Sequence, residues 1–163
     1  LSYSVVHNGE ISSYDANRRY IEMFGYKCNL QTDTEVITYI IDFLLRVKKL
    51  TLEEVAKVIS ASFWTTIDDK SEDDRRQETF LRKAFPSLLI NGPFSIIFGF
   101  DGGLMALNDR LKLRSMVCAE KGDLAFVSSE EFVIRVIQPQ LDSIFAPAGG
   151  QPVIYTLREG VGR

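Results

Sequence analysis

Apolar and polar positions alternate at two different periods along the chain, and the change of period divides it. Residues 2–7 alternate as a strand does, and Asn8-Gly9 is a strong turn dipeptide that should break it. From 14 to 24 the spacing of Tyr20, Ile21, Met23 and Phe24 fits a helix stopped by Gly25. Residues 26–30 then read as a short strand. Thr32 and Glu35 form a capping box ahead of Val36, Ile37, Ile40, Ile41, Leu44 and Leu45, which share one broad helical face. Thr51 and Glu54 repeat the box for a helix running to about Ser60. The charged stretch 68–76 predicts a solvated connection into a third helix, 73–85, ended by Pro86.

Beyond Gly92-Pro93 the period shortens to two. Runs at 94–100 and 104–107 flank Asp101-Gly102-Gly103 as a hairpin would. Strands follow at 115–119 and 124–127 around Lys121-Gly122-Asp123, and Ser128 with Glu131 opens a short helix to Ile137. Residues 147–150 form a loop before a last strand, 153–157, and 158–163 are a polar tail. Helices and hairpin-linked strands are segregated, so the expected class is α+β with a mainly antiparallel sheet, in one domain over residues 1–163.

Composition narrows the function classes. The chain has 19 Lys and Arg against 22 Asp and Glu, for a net charge of -3, with no basic block. Nucleic acid is therefore not an expected partner. No apolar run approaches the length of a bilayer span, so no membrane is expected either, and a cytoplasmic location is. Two cysteines, Cys28 and Cys118, and the single histidine, His7, do not make a disulfide framework or a His-based zinc site. No metal or other cofactor is implied.

Three stretches carry chemistry. His7-Asn8-Gly9-Glu10-Ile11 could be a plain turn. It could also be an oxyanion hole, in which the Asn8 side-chain amide and the Gly9 backbone amide aim at one developing negative charge. In Thr32-Asp33-Thr34-Glu35 the cap does not require Asp33, and a carboxylate fixed at a helix start suits a ligand ammonium group. Asn108-Asp109-Arg110 with Leu113-Arg114, and Ser128-Ser129-Glu130, read alone as a charged loop and a helix cap. A hydrolase built on Ser128 or Ser129 finds weak support, because His7 is the only candidate base.

The ordered set of Asn8-Gly9-Glu10-Ile11, Asp33-Thr34-Glu35, Gly92-Pro93-Phe94, Asn108-Asp109-Arg110…Leu113-Arg114 and Ser128-Ser129-Glu130 resembles the class II, N-terminal nucleophile glutamine amidotransferase domain. Val6 to Tyr14 in particular, together with Asn17-Arg18-Arg19-Tyr20 and Phe24-Gly25-Tyr26, is most similar to the glutamate-synthase branch and its separate amidotransferase-like subunit. Ser115 departs from the proline usual after Leu-Arg.

The resemblance implies a four-layer αββα sandwich, glutamine as ligand, Asn8 and Gly9 as the oxyanion hole, Glu10 beside them, and Asp33 on the substrate α-amino group. It also implies an N-terminal cysteine nucleophile and a carboxylate-binding arginine ahead of the Asn-Gly motif. Leu1 and the five residues before His7 supply neither. The expectation is thus the C-terminal part of such a domain, inactive by itself, open on its N-terminal side, and paired as a homodimer or with a separate N-terminal or synthase polypeptide. A non-catalytic glutamine-binding or assembly module with the same fold is the alternative.

Overall fold

Phe94, Ile96 and Phe98, alternating along one strand, turn their side chains to one face of a sheet, and the helices gather there. The computed structural model describes residues 3–157, so the expectations placed on Leu1, Ser2 and residues 158–163 lie outside it. The elements run β1 (Ser4–Gly9), α1 (Tyr14–Glu22), α2 (Asp33–Asp42, continued by a π-helical turn, Phe43–Val47), α3 (Leu52–Ile59), α4 (Trp64–Asp68) and α5 (Glu72–Ala84). They continue as β2 (Phe94–Phe100), β3 (Gly103–Asn108), β4 (Val117–Lys121), β5 (Leu124–Ser128), α6 (Glu131–Ile137), β6 (Ser143–Phe145) and β7 (Val153–Thr156). The expected α+β class and antiparallel pairing are both found.

One sheet has the order β1-β2-β3-β7 and the other β5-β4-β6. On one face of the first sheet, Phe94, Ile96, Phe98, Met105 and Leu107 pack with Val36, Ile37, Ile40 and Ile41 of α2 and Val55 and Ile59 of α3. Each such side chain taken out of water contributes roughly 1.5–3 kcal/mol. Ala106 points to the opposite face, where it meets Met116 and Cys118, with Val127 and Val153 packed around them. Alternation along β3 therefore divides the core between the helices and the second sheet.

Local chemistry explains where the elements depart from the pattern. Residues 26–30 form no strand, because the Asn29 and Leu30 amides donate to the Glu35 carboxylate at 2.9 and 2.8 Å. That use of Glu35 also leaves the first capping box half made. Thr32 Oγ1 accepts from the Glu35 amide at 3.3 Å, but Glu35 reaches the preceding loop instead of the cap residue. At Thr51 and Glu54 both halves of the box form. α5 starts at Glu72, capped by Ser71, with Glu72, Asp73 and Asp74 against the positive end of the helix. α6 begins only at Glu131, and Ser128 Oγ accepts from the Glu130 amide rather than capping the helix.

Two elements, α4 and β6, have no counterpart in the pattern. α4 is one turn of aromatic and β-branched residues, held by burial of Ile67 and by Arg82 stacked 4.1 Å from the centre of the Trp64 ring. β6 is three residues long and is defined by its pairing with β4. Among the described residues no helix is long and apolar enough to cross a membrane.

Asp109, 2 % exposed, organises the turn after β3. Its carboxylate accepts from the amides of Leu111, Leu113 and Arg114 at 3.0–3.2 Å, and from Phe94 at 3.4 Å. Asp109→Ala removes the shared acceptor of four amides, that of buried Phe94 among them, so urea unfolding should show a loss of about 2 kcal/mol. A loss below about 0.5 kcal/mol would contradict this role for the carboxylate.

Candidate functional site

The site is built on the outer edge of β1. Antiparallel pairing opposes Asn8 to Ser95 and Gly9 to Phe94, and it continues past the strand through Glu10 N to Pro93 O at 3.0 Å and Ser12 N to Asn91 O at 2.9 Å. The alternation of such ladders sends the even-numbered amides toward β2 and the odd-numbered ones, Val5, His7 and Gly9, away from it. Ile11 is next in that outward series, and its amide donates to Asp33 Oδ2 at 2.8 Å. The Gly9 amide lies two residues back along the same edge, about 7 Å away.

Asn8-Gly9 is therefore not the turn that its dipeptide suggests. Two glycines let the backbones run on side by side. A Cβ on Gly9 would stand 2.2 Å from Pro93 O and 2.7 Å from Phe94 Cα. A Cβ on Gly92, whose φ is +106°, would stand 2.6 Å from Glu10 O. No other residue fits either place without moving the main chain.

Asp33 opens α2, and that helix start fixes the carboxylate beside the motif although 22 residues separate it from Ile11. Oδ2 is engaged with the Ile11 amide, which leaves Oδ1 as the second acceptor of the carboxylate. Asn8 is exposed, and Glu10 is exposed with its backbone, not its side chain, tied to Pro93. The structure thus brings Asn8, Gly9, Glu10 and Asp33 to one strand edge.

A second set of residues, given no role by the sequence reading, holds this edge in place. Ser13 Oγ donates to Asn17 Oδ1 at 2.6 Å and accepts from the Asn91 amide at 2.9 Å. The buried Asn17 Nδ2 donates to Ser87 O at 2.7 Å and Leu89 O at 3.1 Å. Arg110 donates to Asn91 Oδ1 at 3.1 Å. Together they anchor the segment against which residues 9–12 lie. Asn17 stood in the Asn17-Arg18-Arg19-Tyr20 motif, but only its burial beside α1 reveals the task.

The other candidates do not converge here. Ser128 belongs to β5, in the second sheet, and Ser129 follows it. Cys28 and Cys118 are buried free thiols. Burial pushes the Cys28 thiol up, and the Cys118 thiol is pushed up to about 11, again mainly by burial. Neither is suited to be a thiolate at neutral pH. Among the described residues no group of acidic, His and Cys side chains could hold a metal ion.

No family model matches the chain. It is 48 % identical over 158 residues to an uncharacterized protein of Archaeoglobus fulgidus, an alignment covering 97 % of this chain and 42 % of that protein. It is 29 % identical over 142 residues to the isomerizing glutamine–fructose-6-phosphate aminotransferase of Vibrio vulnificus, covering 80 % of this chain and 21 % of the enzyme. Among solved structures it matches the glutamine phosphoribosylpyrophosphate amidotransferase of B. subtilis, complexed with ADP and GMP. The TM-score is 0.59 and the identity 15 %, over 94 % of this chain and 27 % of that one. The chain spans less than half the length of each of these proteins. The matches relate it to class II glutamine amidotransferase domains, and its mixed α+β fold is that of the domain in the last enzyme.

His7 reports on the charges of the site. Burial of its ring lowers its pKa from 6.5, Asp33 opposes that shift, and Arg114 adds to it. The unfolded chain therefore binds a proton at a higher pH than the folded one. The stability that His7 contributes is complete above about pH 6.5 and is lost as pH falls through the folded value. An NMR titration should place the His7 midpoint below 6.5, with Asp33→Asn moving it lower and Arg114→Gln moving it up. A midpoint at or above 6.5 would show that the ring is not desolvated.

Proposed function

We propose that this chain supplies half of a glutamine site to a class II amidotransferase related to glutamate synthase. The observation that carries the reading is the 2.8 Å bond from the Ile11 amide to Asp33, which sets a fixed carboxylate beside the outward amide of Gly9. An amino acid has a cation at one end, and glutamine has a carboxamide at the other. Asp33 Oδ1 takes the α-ammonium group. The Asn8 Nδ2 and Gly9 N–H groups face the carboxamide oxygen, where negative charge grows when a thiolate attacks the carbonyl carbon. Glu10 lies at the rim of the same site. Donors already fixed in place need no reorganisation as that charge develops.

Cys28 and Cys118 are buried, and that burial keeps both thiols protonated, so the attacking thiol comes from another segment or another polypeptide. Ammonia released there passes to a synthase site elsewhere in the parent protein. The similarity of residues 6–14 to the glutamate-synthase branch supports that acceptor. The layering we infer is an αββα sandwich. Helices cover one face of the first sheet, the second sheet meets the other face at Ala106, and α6 packs on β5.

Among the described residues β1 pairs on one side only, and Val6 is 66 % exposed. Such an edge favours a further strand, and apolar surface covered there contributes about 25 cal/mol per Å². We infer a partner alongside Val5 and His7, either a second copy or a separate N-terminal polypeptide. A stable monomer at micromolar concentration in sedimentation that also exposes no apolar patch to a hydrophobic dye would contradict this.

Calorimetry should detect L-glutamine binding with Kd on the order of 1 mM. Asp33→Asn, which keeps an acceptor for Ile11 and removes the charge, should weaken it at least about tenfold, or 1.4 kcal/mol. The chain alone should release no ammonia from glutamine above background. Turnover that disappears in Cys28→Ser or Cys118→Ser would overturn the assignment of the nucleophile, and equal affinity in Asp33→Asn would overturn the ammonium site.

A further inference from the structure

The outward face of α5 carries a line of side chains that is complementary to itself. Glu78 and Leu81 are buried beneath the helix, which packs on α3 and α4. The opposite side presents Glu72, Arg76, Thr79 and Lys83, spaced four, three and four residues apart, so that they follow one another along a single stripe. The Glu72 and Arg76 side chains are 74 % and 76 % exposed. Phe80, at the side of this stripe, is 66 % exposed. An open depression of about 340 Å³ lies beside it, lined by Asp68, Glu72, Arg75, Arg76, Thr79 and Phe80.

Charge is segregated along this surface. Asp68, Asp69, Glu72 and Asp73 stand at one end, and Arg82 and Lys83 at the other. Among the described residues none of Asp68, Asp69, Asp73, Arg82 and Lys83 forms an ion pair. Arg82 donates to Ser62 O and stacks on Trp64, whose ring is 44 % exposed. Burial lowers its pKa, and the charge of Arg110 lowers it further. The macrodipole of α5 accounts for acid at its start and base at its end. It does not account for an exposed phenyl ring beside a depression, or for the spacing of the stripe.

We propose that α5 pairs antiparallel with α5 of a second copy of this chain, about a two-fold axis at the middle of the helix. Turned end for end, the stripe reads Lys83, Thr79, Arg76 and Glu72 at the same spacing. Glu72 therefore meets Lys83 of the second copy, Arg76 meets Thr79, and each contact is made twice. The acidic end covers the Arg82–Trp64 stack of the second copy. Phe80 enters the depression on the second copy, where Arg75 and Arg76 offer cation–π contact. A different partner matches such charges without any need for spacing that reads the same from either end. A helix of 13 residues is about 20 Å long, so the contact falls below the roughly 1,200 Å² at which stable interfaces begin, and the pairing is weak. It depends neither on the glutamine reading nor on the partner beside Val5 and His7, because α5 is no part of the β1 edge.

Sedimentation of the whole chain between about 10 μM and about 1 mM tests this. Wild type should show a self-association step with Kd on the order of 100 μM, whatever the state from which it starts, and about 0.5 M NaCl should weaken it. Glu72→Lys and Lys83→Glu each set like charges together twice and should weaken the step at least about tenfold. Both positions are exposed, so neither change disturbs the core. An equimolar mixture of the two variants should recover the wild-type affinity, because each then meets the opposite charge on the other. Phe80→Ser should weaken the step about fivefold without any change of charge. No step in wild type up to about 1 mM, a step that both charge variants leave unchanged, or a mixture as weak as either variant alone would overturn the pairing.

Discussion

One hydrogen bond joins the two halves of the candidate site. Asp33 Oδ2 accepts the outward amide of Ile11, and this ties the start of α2 to the open edge of β1. Without it the carboxylate belongs to a helix cap and the Asn8-Gly9 motif to a strand, with no fixed geometry between them. With it, a carboxylate is fixed on the Ile11 amide, and the outward-facing Gly9 amide stands about 7 Å from that of Ile11 along the same edge, a spacing set by the strand itself. Asn17, Ser13 and Arg110 act on the same arrangement from behind, by fixing residues 87–91, which lead into the strand that pairs with the edge.

Much of the fold was legible in the sequence. The amphipathic α2 and α3, the hairpin turned by Asp101-Gly102 and the strand pair around Gly122 all rest on local periodicity and turn chemistry, and they stand where the pattern put them. Residues 26–30 were not legible as a loop, because what empties that strand is a carboxylate five or six residues downstream that captures its amides. β6 and α4 are too short for a period to show, and each is held by partners distant in sequence.

The candidate site could be proposed from residue types, but its geometry could not be read from them. Asn8-Gly9 has the composition of a turn, and Gly9 together with Gly92 on the neighbouring segment lets it stay extended. Asp33 could be singled out because the helix cap did not need it, yet its contact with Ile11 is long-range and leaves no trace in local spacing. A site assembled at a sheet edge is specified by register, and register is a property of paired strands.

The central claim is that the β1 edge and Asp33 bind the two ends of one glutamine molecule. Crystals of the chain grown with saturating L-glutamine test it most directly. The account predicts the ligand ammonium within hydrogen-bond distance of Asp33 Oδ1 and the carboxamide oxygen facing the Gly9 amide, with the Ile11–Asp33 bond intact. Glutamine bound elsewhere, or an Asp33 carboxylate turned from Ile11 to solvent with no ligand on it, would contradict it.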